Sequence, residues 1–186
     1  MRKFIAYLFV SSLLLSISSL SAACLVSSAE TTPLKHFTDL SVDQNTQVIE
    51  DYKTGLMWAR CFMGSSWNIG TNKCEVNGEV EINWKSALSA AVTANDEAYL
   101  GFADWRVPNV KELASIAERK CHIPSINSAL FPLNGLAAKA NFWTNTPVFG
   151  GGGRSVRLIN FGTGQMVSKD YTTKHYLRLV RDVSPP

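Results

Sequence analysis

Apolar and polar positions along the chain follow two periods. The β-branched stretch from Thr46 to Glu50 predicts a strand. Asp51-Tyr-Lys-Thr-Gly55 predicts a turn, because an Asp side chain accepts from its own backbone ahead and Gly tolerates a positive φ. Leu56 to Arg60 then predicts the partner strand of a β-hairpin. Trp84, Ala87, Leu88 and Ala91 recur at helical spacing, so a helix is expected from Trp84 to about Ala94, capped by Asn83 and ended by Asn95-Asp96. A second helix starts after Asn109, where Asn109-Val-Lys-Glu112 has the form of a capping box and Val110, Leu113, Ile116 and Ala117 give one apolar face. Pro108 sets an extended entry to it, and Pro124 stops the chain from continuing helically.

The last third reads as strands. Phe142 to Thr146 is β-prone, Gly150–Gly153 is a loop, and Ser155 to Phe161 and Gln165 to Ser168 form a second hairpin about the Gly162-Thr-Gly164 turn. His175 to Arg181 closes the chain, with Tyr176, Arg178 and Val180 alternating against Leu177, Leu179 and Arg181. Strands, two short helices and more strands predict an α+β fold with a largely antiparallel sheet.

The first 23 residues stand apart from this pattern. Arg2 and Lys3 precede an apolar run from Phe4 to Leu20, and Ser21, Ala22 and Ala23 are small, which is the form of a secretory signal peptide. The run is short and serine-diluted for a membrane span, and no other stretch is long and apolar enough. Residues 24–36 then form an extended segment, with Pro33 excluding a helix interior. Cleavage is expected near Ala22–Ala23 with Cys24 retained. Two alternatives stay open: a lipoprotein signal that acylates Cys24, and cleavage after Ala29 that removes it.

Export changes the reading of the four cysteines. An oxidising compartment favours pairing, and four cysteines allow three connectivities. Cys61 and Cys74 flank a turn-rich loop that closes easily, which leaves Cys24 with Cys121. Zinc is not expected, because the three histidines, His36, His122 and His175, show no ligand spacing.

Charge excludes one class and suggests a location. The 186 residues carry 18 Lys and Arg against 15 Asp and Glu, too balanced for a strongly basic nucleic-acid binder. A hydrophobic share of 46% excludes a disordered chain. The balance is uneven, however. Residues 24–148 hold 10 basic and 13 acidic side chains, and residues 149–186 hold 6 against 2. Arg154, Arg157, Lys169 and Arg178 beside Tyr171 and Tyr176 are candidate ligand-binding residues, since a cationic stripe attracts an anionic polymer and the planar guanidinium suits sulfate or carboxylate.

Several motifs occur in a fixed order. Thr54-Gly-Leu-Met-Trp58 comes first, then Cys61 and Cys74, then Trp84 with its Ala-rich helix. Asp104-Trp-Arg-Val-Pro-Asn-Val-Lys-Glu-Leu113, Phe142-Trp-Thr and Val180-Arg181 follow. In this the chain resembles the bacterial Lcl C-terminal domain family, named for the collagen-like adhesin of Legionella, over residues 37–183. The Asp-Trp-Arg string is its most specific part. The resemblance implies an exported domain of C-type-lectin-like architecture, and in the adhesin the domain recognises sulfated glycosaminoglycans. This chain has no Gly-X-Y collagen region. Within the signature, Asp104 and Arg106 are expected to pair, Trp105 to fill the core, and Pro108, Asn109 and Glu112 to set the helix start.

No Gly-x-Ser-x-Gly elbow, His-Glu-x-x-His or phosphate loop is present, so no catalytic residue is nominated. Nor does the chain hold the Glu-Pro-Asn or Gln-Pro-Asp triplet of calcium-dependent sugar binding, so neither calcium nor any cofactor is expected. The sequence therefore points to an exported, non-catalytic binding module for an anionic polysaccharide or other envelope component. The alternative is a structural subunit of an envelope or pilus-like assembly that meets a protein partner. Periplasm versus secretion, and oligomeric state, stay open.

Overall fold

The computed structural model describes residues 23–25, 29–39, 47–136, 140–150 and 153–183. The predicted leader lies outside the described residues apart from Ala23, as do Thr46 of the first predicted strand and Gly151–Gly152 of the glycine loop. The first half of the chain forms β1 (Ala23–Cys24), β2 (Phe37–Asp39), β3 (Val48–Asp51), β4 (Leu56–Ala59), β5 (Ser65–Asn68), β6 (Lys73–Val76) and helix α1 (Trp84–Asp96). The second half forms α2 (Val110–Ser115), β7 (Cys121–His122), β8 (Asn141–Pro147), β9 (Ser155–Asn160), β10 (Gln165–Asp170) and β11 (Val180–Asp182). Every ladder between these strands is antiparallel, which gives the α+β class.

The first predicted hairpin is the centre of a sheet ordered β11-β4-β3-β2. Its turn forms as its residue types require. The Asp51 carboxylate accepts from Lys53 N at 3.0 Å and Thr54 Oγ1 at 2.6 Å, and Gly55 has φ +68°. The second hairpin joins β8 in a sheet ordered β10-β9-β8. The stretch between Cys61 and Cys74 is not a plain loop. It holds β5 and the start of β6, with Trp67 opposite Cys74. A Cβ at Gly64, where φ is +79°, would lie 2.3 Å from the Glu79 carbonyl oxygen, so only glycine lets the turn before this hairpin approach so closely.

Both helices begin at the predicted caps. Asn83 Oδ1 accepts from Ser86 N at 2.9 Å. Asn109 Oδ1 accepts from Lys111 N and Glu112 N, while Glu112 Oε2 accepts from Asn109 N at 2.7 Å, a complete capping box. Helix α1 runs two residues past Ala94. Asn95 does not end it, because its side chain brackets the backbone of Trp105, accepting from N at 2.6 Å and donating to O at 2.9 Å. Ala87, Ala91 and Ala94 form the buried face, whereas Leu88 of the predicted stripe is exposed.

The closing segment corrects the sequence reading most. Its alternation holds, but neither face meets water. Tyr176 and Val180 pack into one cluster with Phe62, Phe131 and Phe142, while Leu177 and Leu179 pack into another with Trp105, Trp143 and Leu158. Residues 175–183 lie between the two cores and bond to five other segments. His175 exchanges two bonds with Ile82, Tyr176 N donates to Asn141 O, Met63 N donates to Leu177 O, Val180 exchanges two with Arg106, and Val183 N donates to Gly55 O. Arg178 is therefore fully buried rather than a surface cation. Its Nη1 donates to the carbonyls of Ala59 and Arg60, and its guanidinium lies 5.1 Å from the Phe131 ring centroid and 5.6 Å from that of Phe142. Burial lowers its pKa to about 9, so it remains charged at neutral pH.

Both expected disulfides form, Cys61–Cys74 and Cys24–Cys121. The second pins the N-terminal segment, and Glu118 pins it again. The Glu118 carboxylate accepts from the backbone N–H and hydroxyl of Thr31 and of Thr32, and from Lys120 N. Burial alone would raise its pKa, but these donors outweigh burial and hold it at about 2.

Two outcomes follow. Thiol counting on the denatured, unreduced protein finds no free cysteine, and intact mass shows an unmodified Cys24; a diacylglyceryl thioether on Cys24 would contradict the bridge, since one sulfur cannot hold both. For Glu118, a depressed folded-state pKa means a contribution present above pH 4.5 and lost as the pH falls toward 2. Glu118→Gln should lower Tm by roughly 4–8 °C at pH 7, with the gap to wild type closing as the pH approaches 2. A gap that ignores pH in thermal melts would contradict this assignment.

Candidate functional site

The signature string folds into a structural joint. Trp105 is 2% exposed, donates from Nε1 to Tyr99 O at 2.6 Å, and meets the rings of Tyr99 and Phe102 edge-on. Asp104 and Arg106 do not pair with each other. Arg106 bridges to Val180 across the backbone, which carries its side chain to Glu112 at 2.7 Å and Asp182 at 3.2 Å. Asp104 instead takes Arg181, with Nε at 2.6 Å and Nη2 at 3.1 Å. The Arg181 contact holds the Asp104 carboxyl below its usual range. The Arg181 guanidinium also lies 4.1 Å from the Phe102 ring centroid, a partner that no local pattern announces. Pro108 is buried, and its carbonyl accepts from Asn145 N at 2.8 Å. Arg106 thus ties Glu112 of α2 to Asp182, and Asp104 ties the start of the signature to Arg181 of the closing strand.

The cationic candidates lie elsewhere, on the β9–β10 ribbon. Its register sets their faces. Lys169 is opposite Val156 and Ser168 is opposite Arg157, and Tyr171 N donates to Arg154 O at 3.0 Å. Alternation then places Arg154, Lys169 and Tyr171 on one face and Arg157 on the other. The expected single stripe of Arg154, Arg157 and Lys169 does not form, because adjacent strand positions point opposite ways. Arg157 Nη1 donates to Ser168 Oγ at 3.0 Å. Arg154 lies over the Tyr171 ring at 5.7 Å and meets Asp170 at 3.4 Å. Buried Arg178 is not part of the ribbon surface, and Tyr176 is buried with it.

The face with Lys169 adjoins the start of α1, where Trp84 N donates to Tyr171 O at 3.1 Å. His175 is beside it, its ring 5.0 Å from that of Trp143. Burial, helped by the Lys169 charge, lowers the His175 pKa, so this ring is neutral at physiological pH. The sequence shows His175 without ligand spacing, and its neighbours Trp143, Lys169 and Ile82 come from three separate segments that no local pattern brings together. Among the described residues no group of three or more His, Cys, Asp or Glu is placed to hold a metal ion.

No curated protein sequence matches the chain. The family model described as the Lcl C-terminal domain matches residues 47–181, which takes in the hairpin turn, both helices, the signature joint and the closing strand through Arg181. The chain belongs to the Lcl C-terminal domain family.

Proposed function

We propose that the protein is an exported, non-catalytic binding module that recognises an anionic, sulfated glycan through the ribbon face carrying Arg154, Lys169 and Tyr171. The carrying observation is the Arg154–Tyr171 stack next to Lys169, which has no hydrogen-bond or ion-pair partner among the described residues. The contact of Arg154 with Asp170 joins side chains 65% and 38% exposed. Such a pair is worth little, so a sulfate ester can replace the carboxylate. Arginine's planar fork then meets sulfate with two donors, and the ring offers a face to the sugar.

The two disulfides and the family fit an exported protein. No helix among the described residues is long and apolar enough to cross a membrane. The non-catalytic reading rests on the absence of a nucleophile motif in the sequence and on the placement of His36, His122 and His175 in separate segments. The C-type-lectin-like relation belongs to the same reading. It is supported by the pairing of β11, near the end of the chain, with β4 of the first hairpin. A structural role in an envelope assembly is favoured by one feature, the outer edge of β10, which has no strand partner among the described residues.

Heparin titrated against the protein by calorimetry tests the glycan reading. Affinity should fall about tenfold or more between 50 and 300 mM NaCl, as screening demands. Arg154→Ala with Lys169→Ala should weaken binding about tenfold or more, while Arg157→Ala on the opposite face changes it less than about threefold. Binding indifferent to salt and to the double substitution would return the choice to a protein partner at the β10 edge.

A further inference from the structure

A groove of about 650 Å³ runs along one flank of α1, between the helix, Met63 and Tyr99, and its end at Asn83 and Lys85 lies next to the contact of Trp84 with Tyr171. Its helical wall presents Ser86, Ser89 and Thr93, one short hydroxyl for roughly each turn of helix. Lys85 stands at one end and Glu97 at the other. These five side chains have no hydrogen-bond or ion-pair partner among the described residues, whereas the largely buried Tyr99 phenol feels the charge of Arg178. The donors and acceptors of the helical wall, gathered in one concavity, form an uncommitted polar array.

The opposite wall is held by unusual backbone. Ala98 and Leu100 flank Tyr99, and both have left-handed φ, +49° and +54°. Neither is glycine, so each carries a steric penalty that the surroundings must outweigh. What the arrangement secures is Tyr99: its carbonyl takes the Trp105 indole N–H, and its ring abuts the Trp105 ring at 6.1 Å. The phenol is therefore fixed against the buried signature while lining the groove.

We infer that this groove binds an uncharged, polyhydroxylated ligand, a neutral oligosaccharide, independently of the cationic ribbon. Short hydroxyls repeated along a shallow wall, an aromatic ring opposite and one group of each charge match a ligand made of hydroxyls and C–H faces. A peptide fits less well, because it needs apolar anchoring, and the exposed apolar residues of α1, Leu88 and Val92, lie outside the groove lining. A sulfated chain is disfavoured because Glu97 offsets Lys85.

The test is calorimetric titration of the purified protein with cellotetraose, maltotetraose, chitotetraose and mannotetraose, and with tetra-alanine as a peptide probe. At least one tetrasaccharide should bind with a Kd of roughly 10 μM to 1 mM, unchanged within about twofold between 50 and 300 mM NaCl. Ser89→Trp, which fills the groove from an exposed helix position, should abolish that binding with an unchanged melting temperature, and Tyr99→Phe should weaken it about three- to tenfold. The ribbon variant Arg154→Ala with Lys169→Ala should leave it intact. Failure of all four sugars to bind, sugar binding that survives Ser89→Trp, or tighter binding of tetra-alanine than of any sugar would each overturn the inference.

Discussion

The closing segment, residues 175–183, is the constraint on which the rest depends. Its residues enter both apolar clusters, with Tyr176 and Val180 on one side and Leu177 and Leu179 on the other, and β4 and β8 beside it alternate between the same two clusters. Its backbone bonds reach the first hairpin, the approach to α1, the signature and β8. Without it the two sheets share little direct pairing, since they belong to separate ladders. Arg178 shows how strongly its position is determined. A buried guanidinium whose surroundings are two carbonyls, two aromatic faces and the Tyr99 phenol, and whose Nε and Nη2 have no hydrogen-bond partner among the described residues, is unfavourable on its own. It is tolerated because the neighbouring apolar residues and the backbone pairing on both sides leave it no other place.

Around this strand the molecule divides its labour. The signature joint spends its charges internally: Arg106 on Glu112 and Asp182, Arg181 on Asp104. The N-terminal segment is held by a disulfide and by the five donors that surround Glu118. Cations left without strong partners sit at the periphery, on a ribbon whose outer strand is mostly exposed. A rigid interior with uncommitted polar groups at the rim is what a binding module requires, because a preorganised surface loses little entropy on association.

Local chemistry was legible in the sequence, and long-range partnership was not. Asp51 with Gly55, Asn83, and Asn109 with Glu112 act within three or four residues of themselves, so their roles follow from spacing alone. The disulfides were legible because export and an even count leave few pairings. By contrast, Arg178 and Arg157 both occur in alternating strand patterns, yet one is buried and the other partly exposed. The difference depends on how far the core extends along that face: Ile159, two residues on, lies in an apolar cluster while Ser155 and Arg157 are only partly buried, which alternation does not encode. Asp104 and Arg106 look like natural partners two residues apart, but their real partners are more than 70 residues away or in α2. The β5–β6 hairpin was hidden because its Gly, Ser and Asn content has the composition of a loop.

Hydrogen–deuterium exchange of the whole protein, with and without heparin, tests most directly the claim that a rigid closing strand supports a peripheral binding ribbon. The account predicts that amides of residues 177–180 exchange only with global unfolding in both conditions, and that added protection is confined to residues 154–171. Exchange at 177–180 as fast as in the ribbon, or heparin-induced protection that spreads through the core and spares the ribbon, would contradict it.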